Sequence, residues 1–146
     1  RDQKVKYAKA VLTGASKQAA IEAAELEKDA TLYRCHFEFP ASLSLYINDK
    51  QIDAIKDGMT YNSLQVQYES LVDMVPSLTE EEKKQIYAWY KEAREFSMDA
   101  ENSDKKHAAF NKYKGRINNY LTKRGYDLVK ERNEWYKRLK AAGKKI

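Results

Sequence analysis

The hydrophobic positions of this chain recur at spacings of three and four over most of its length, the period of an amphipathic helix. The clearest instance runs from Lys106 to Leu121, where Phe110, Tyr113, Ile117, Tyr120 and Leu121 share one face. A second face carries Lys112, Arg116, Asn119 and Lys123, and a narrow third face carries Asn111, Gly115, Asn118 and Thr122. Upstream, Thr79-Glu80-Glu81-Glu82 has the form of a capping box whose acids also sit on the positive end of the helix dipole. It opens a helix expected to reach about Ala100, with Ile86, Trp89, Tyr90, Ala93, Phe96, Ser97 and Ala100 as its buried stripe. Glu101 to Ser103 makes a short turn, Ser103 caps the next helix, and Lys123-Arg124-Gly125 ends it. Asp127 caps a last helix in which Leu128, Arg132, Trp135 and Leu139 share a face, and Gly143 ends it.

The N-terminal half predicts shorter pieces. Residues 2–12 form a helix with Val5, Ala8, Val11 and Leu12 on one side, broken near Thr13-Gly14. Ser16 is the expected N-cap of an alanine-rich helix running from Lys17 toward Phe37. Pro40 suits the first turn of a short helix over Ala41 to Ile47. Asn48 or Asp49 caps another, Lys50 to Asp57, with Gly58 as its C′ residue. From Met59 to Gln67 the alternation of Leu64 and Val66 with polar residues predicts an extended link. Helical spacing returns at Tyr68 and stops before Pro76. The expected fold is all-α: a single helical domain over residues 1–146, a bundle with a long antiparallel C-terminal hairpin and an irregular link near 59–67.

In that hairpin Trp89 is expected to lie against Gly115. A mid-helix glycine costs about 1 kcal/mol against alanine, so Gly115 needs a reason. Either a ring packs on it, in which case Gly115→Ala overfills the seam and destabilises the protein, or a ligand approaches its backbone.

Composition narrows the classes. A chain of 146 residues, 42% hydrophobic and 34% charged, is long enough for one cored domain and is not a disordered one. No apolar run is long enough to span a membrane. The first residue is Arg rather than Met, so the chain is expected to be processed, with any signal peptide already removed. A single cysteine, Cys35, excludes an internal disulfide framework. The charge of +5 is spread, and Lys130, Arg132, Lys137, Arg138 and Lys140 are interleaved with Glu131 and Glu134, which argues against nucleic acid. Eleven tyrosines against four phenylalanines favour rings with a polar end, most of them in helix seams and a few suited to cleft walls.

Catalytic patterns are thin. Glu92, Glu95 and Asp99 face Lys112, Lys114 and Arg116 across the hairpin, and a structural ion-pair network explains them better than acid–base work on a sugar. Cys35, His36 and Glu38 point apart on a helix, so no metal site is expected. A Ser-His-Asp elbow, a glycine-rich phosphate loop and a Walker lysine are missing, and no cofactor is expected.

Asp57-Gly58-Met59-Thr60-Tyr61, Glu92-Ala93-Arg94-Glu95 with Met98-Asp99-Ala100, and Gly125-Tyr126-Asp127-Leu128 resemble a particular bacterial family. The most specific segment is Lys112-Tyr113-Lys114-Gly115-Arg116-Ile117-Asn118-Asn119-Tyr120-Leu121. The family comprises secreted proteins of unknown function from polysaccharide-degrading bacteria and is described as sugar-binding. The likeness runs from about Leu32 to the C-terminus, and residues 1–31 depart from it most. It implies a secreted or periplasmic helical protein acting near polysaccharide utilisation, and it supplies no catalytic residues. The leading expectation is a non-catalytic module that binds an oligosaccharide or acidic glycan through Tyr61, Arg94, Asp99, Lys114, Arg116, Asn119 and Tyr120. The alternative is a helical scaffold that docks on a protein partner.

Overall fold

The computed structural model describes residues 1–145, which contain eight helices and no strand. They are α1 (Asp2–Val11), α2 (Gly14–His36), α3 (Glu38–Leu43), α4 (Asp49–Met59), α5 (Ser63–Met74), α6 (Glu80–Met98), α7 (Ser103–Lys123) and α8 (Leu128–Ala141). The chain divides into two compact units, Arg1–Ile52 and the stretch from Asp53 onward. Among the described residues no helix is long and apolar enough to cross a membrane.

In the first unit α1 packs on α2 through the small residues Ala8 and Ala24, both fully buried. The break between them falls where expected, with Gly14 in the left-handed region at φ +56°. Ser16 is not the cap of α2: the helix begins at Gly14, and Thr13 takes the N-cap position without a side-chain hydrogen bond. The short helix α3 also starts earlier than expected, and Pro40 lies inside it. Before α4, the Asn48 N–H donates to Gln51 Oε1 (3.0 Å) and the Gln51 N–H donates to Asn48 Oδ1 (2.9 Å), a reciprocal cap.

In the second unit the extended link predicted over 59–67 shrinks to a turn. Gly58 is not a C′ residue but lies within α4. Tyr61 and Asn62 take the left-handed backbone instead, at φ 57° and 54°, and the buried Thr60 hydroxyl donates to the Lys56 carbonyl at 2.8 Å. Helix resumes at Ser63 because Leu64 and Leu71, two turns apart, both reach the core, while Val66 faces out. Over so few residues the alternation of Leu64 and Val66 fits a strand as well as one side of a helix.

The α6–α7 hairpin is the core of this unit. The capping box forms as predicted: the Glu82 N–H donates to Thr79 Oγ1 (3.2 Å), and the Thr79 N–H donates to Glu82 Oε2 (3.0 Å). Asn102, not Ser103, caps α7, its Oδ1 accepting from the Lys105 N–H at 2.9 Å. Antiparallel pairing is fixed by Tyr113 donating to Glu92 Oε2 (3.0 Å) and Ser97 donating to the Lys106 carbonyl (3.2 Å). Ile86, Tyr90, Ala93, Phe110, Tyr113, Ile117 and Leu121 fill the seam, joined by Leu64, Leu71, Val75 and Leu78. Phe96, expected inside, is 57% exposed and only stacks on Tyr113.

Trp89 does not cover Gly115; its ring meets Tyr120 edge-on, 5.1 Å between centroids. Gly115 is exposed, and a methyl group added there meets nothing within 4 Å. The overpacking expectation is therefore reversed. Gly115→Ala should raise stability by about 1 kcal/mol through helix propensity, visible as a melting temperature a few degrees higher. A lower melting temperature would contradict the open surface seen here.

Candidate functional site

Helix α8 packs back on α5 and α7. The Asp127 side chain caps it by accepting from the Lys130 N–H at 3.1 Å. Two polar contacts then set its position. Trp135 Nε1 donates to Asp73 Oδ2 at 2.5 Å, and Arg138 Nη2 donates to the Asp73 carbonyl at 2.7 Å, near the carbonyl end of α5.

Between α5, α7 and α8 lies a cleft of about 320 Å³, with Tyr90 of α6 at its base. One side is apolar, built from Leu71, Met74, Leu128, Trp135 and Tyr136. The Trp135 and Tyr136 rings lie 5.6 Å apart at 28°, and the hydrogen bond to Asp73 holds the indole. Polar groups come from Gln67 and Ser70 of α5, Lys114 and Asn118 of α7, and Arg132 of α8. Lys114 and Asn118 share a helix face because they are one turn apart.

Tyr90 is only 2% exposed, and its hydroxyl has no hydrogen-bond partner among the described residues. That oxygen is nevertheless not among the wholly buried polar atoms left unpaired, and Tyr90 lines the cleft. Burial pushes the phenol up to about 12, which keeps it a neutral donor.

The seven residues expected at a site are not gathered together. Lys114 alone lines the cleft. Tyr61 is exposed on the turn before α5, stacked on His107 at 5.5 Å with Lys106 Nζ 5.9 Å from its ring centre. Arg94 is buried, donating from Nη1 to Asp57 Oδ1 (2.8 Å) and from Nη2 to Asp53 Oδ1 (2.7 Å). Asp99 is half-buried at the C-cap of α6. Arg116 is exposed, its guanidinium 4.7 Å from the Tyr113 ring centre and 3.8 Å from Glu92. Asn119 is exposed on α7. Tyr120 is half-buried between Trp89 and Arg124.

The ion pairs also differ from the expected cross-hairpin set. Glu92 meets Arg116 loosely, whereas Glu95 pairs with Lys56 of α4 at 2.7 Å.

The cleft residues that sequence reasoning passed over are Tyr90, Gln67, Ser70, Asn118, Arg132, Trp135 and Tyr136. Part of the signal was present: Arg132 and Trp135 share a helix face, and Asn118 lies on the narrow face of α7. What brings those faces together is the return of α8 onto α5 and α7, a contact between distant stretches of chain.

Comparison with curated proteins finds no match. Over residues 1–141 the chain matches the family described as Protein of unknown function (DUF3826), and it belongs to that family.

Proposed function

We propose that this protein is a non-catalytic helical module that binds carbohydrate in the cleft between α5, α7 and α8. The observation that carries the reading is the stacked Trp135–Tyr136 wall, set in one cleft with amide, hydroxyl and cationic groups. A sugar ring has an apolar C–H face that lies against an aromatic ring, and hydroxyls that need directional donors and acceptors. Gln67, Ser70, Asn118 and the Tyr90 hydroxyl supply both kinds. The volume is at the low end of the roughly 300–1,000 Å³ usual for small-ligand sites, so a short stretch of glycan is accommodated. An exported protein acting beside glycan breakdown, as the sequence resemblance implies, agrees with this reading.

The test is a titration of the protein with a panel of neutral and acidic plant and matrix oligosaccharides, followed by amide chemical shifts. Shifts are expected to concentrate on α5, α7 and α8. Trp135→Ala should weaken binding at least about tenfold, a change of about 1.4 kcal/mol. Shifts confined to other surfaces, or none at millimolar glycan, would overturn the proposal.

A further inference from the structure

We propose that the sugar unit held in this cleft carries a fixed negative charge, a uronate carboxylate or a sulfate ester, received by Lys114 and Arg132. This rests on the carbohydrate reading and names its ligand class. Among the described residues, the only charged side chains lining the cleft are these two cations, one from α7 and one from α8, and no carboxylate lines it.

Neither cation has a hydrogen-bond or ion-pair partner among the described residues. Some basic groups of the same unit are engaged: Lys56 with Glu95, Arg94 with Asp53 and Asp57, Arg124 with Glu82, and Arg138 with the carbonyls that end α5. Others, such as Lys112, Lys123 and Lys137, stand on the surface without such a partner. Two cations on one concave surface, with no carboxylate beside them, make a positive potential that attracts an anion. A guanidinium offers a fork that fits two oxygens of either group, and an ammonium adds a point charge.

Tyr90, which lines the same cleft, adds a neutral hydroxyl to the two cations. That hydroxyl sits on a side chain that is almost wholly buried, yet it has no protein partner. Its oxygen is not sealed from solvent, so water satisfies it in the free protein and a ligand oxygen can take the water's place. With two cations and a neutral donor converging on a cleft that has an aromatic wall, the arrangement favours an anionic sugar over a neutral one.

The experiment compares the full chain's affinity for an oligogalacturonate, the same oligomer as its methyl ester, a sulfated galactan oligosaccharide and its desulfated form. The charged member of at least one pair is expected to bind about tenfold or more tighter than its neutral counterpart, with affinity falling as salt rises. Which pair shows the difference identifies the anionic group. Lys114→Gln and Arg132→Gln, both at exposed positions, should each remove most of the preference for the charged member of the pair. Equal affinity within both pairs, or variants that keep the preference, would overturn this inference and leave the carbohydrate reading standing. Failure of all four to bind would count against the carbohydrate reading itself.

Discussion

Glu82→Ala is expected to destabilise the protein by about 2–4 kcal/mol, because it removes a buried carboxylate that accepts three hydrogen bonds. The Glu82 side chain is 3% exposed and accepts from three donors: the Thr79 N–H at 3.0 Å, Arg124 Nε at 2.6 Å and the Tyr126 hydroxyl at 2.6 Å. It thus ties the start of α6 to the end of α7 and to the segment leading into α8. Arg124 is 42% exposed and regains water when released, which places the loss toward the lower end of the range.

The same group sets an acid limit. Burial alone would raise its carboxyl, but hydrogen bonds from Tyr126, Thr79 and Arg124, with the Arg124 charge, reverse that and hold it near about 2. Its contribution is therefore present above the unfolded value of 4.5 and is lost as pH falls from there toward 2. Urea unfolding midpoints measured across this window should fall steeply for the native protein and less steeply for Glu82→Gln. Parallel slopes would show that Glu82 is not the titrating group.

The second large effect is expected at Arg94. Arg94→Ala should cost about 2–4 kcal/mol, because it leaves Asp53 and Asp57 as like charges one turn apart on α4 and removes a buried side chain of α6 from beside them. Burial alone would lower the guanidinium pKa, but the two aspartates raise it, so it stays charged. Arg94→Lys should recover little of the loss, since one ammonium cannot reproduce the fork that reaches both carboxylates. Adding Asp53→Asn and Asp57→Asn to Arg94→Ala should restore part of it by removing the repulsion. Thermal melts of the four proteins check this, and an Arg94→Ala melt equal to that of the native protein would refute it. The buried position also explains why Arg94, an attractive ligand residue by type, does not reach the cleft.

The sequence by itself determined those elements whose signals are local. The Thr79–Glu82 box and the Asp127 cap join residues three apart, so they form wherever the chain is free to turn into a helix. The tight connection after α6 makes α7 run antiparallel, and the periods of Ile86, Tyr90, Phe110, Tyr113, Ile117 and Leu121 place the core. Tertiary packing decided what short windows leave degenerate. Leu64 and Val66 fit either a strand or a helix until Leu71 and the α6–α7 seam pull Leu64 inward. Gly115 reads as a packing notch until Trp89 is found on Tyr120 and the glycine on open surface. The cleft lies wholly on this second side. Asn118, Arg132 and Trp135 were visible on helix faces and Lys114 as a candidate ligand residue, but a cleft exists only because α8 folds back onto α5 and α7. Periodicity specifies which residues share a face, and long-range contacts specify which faces meet.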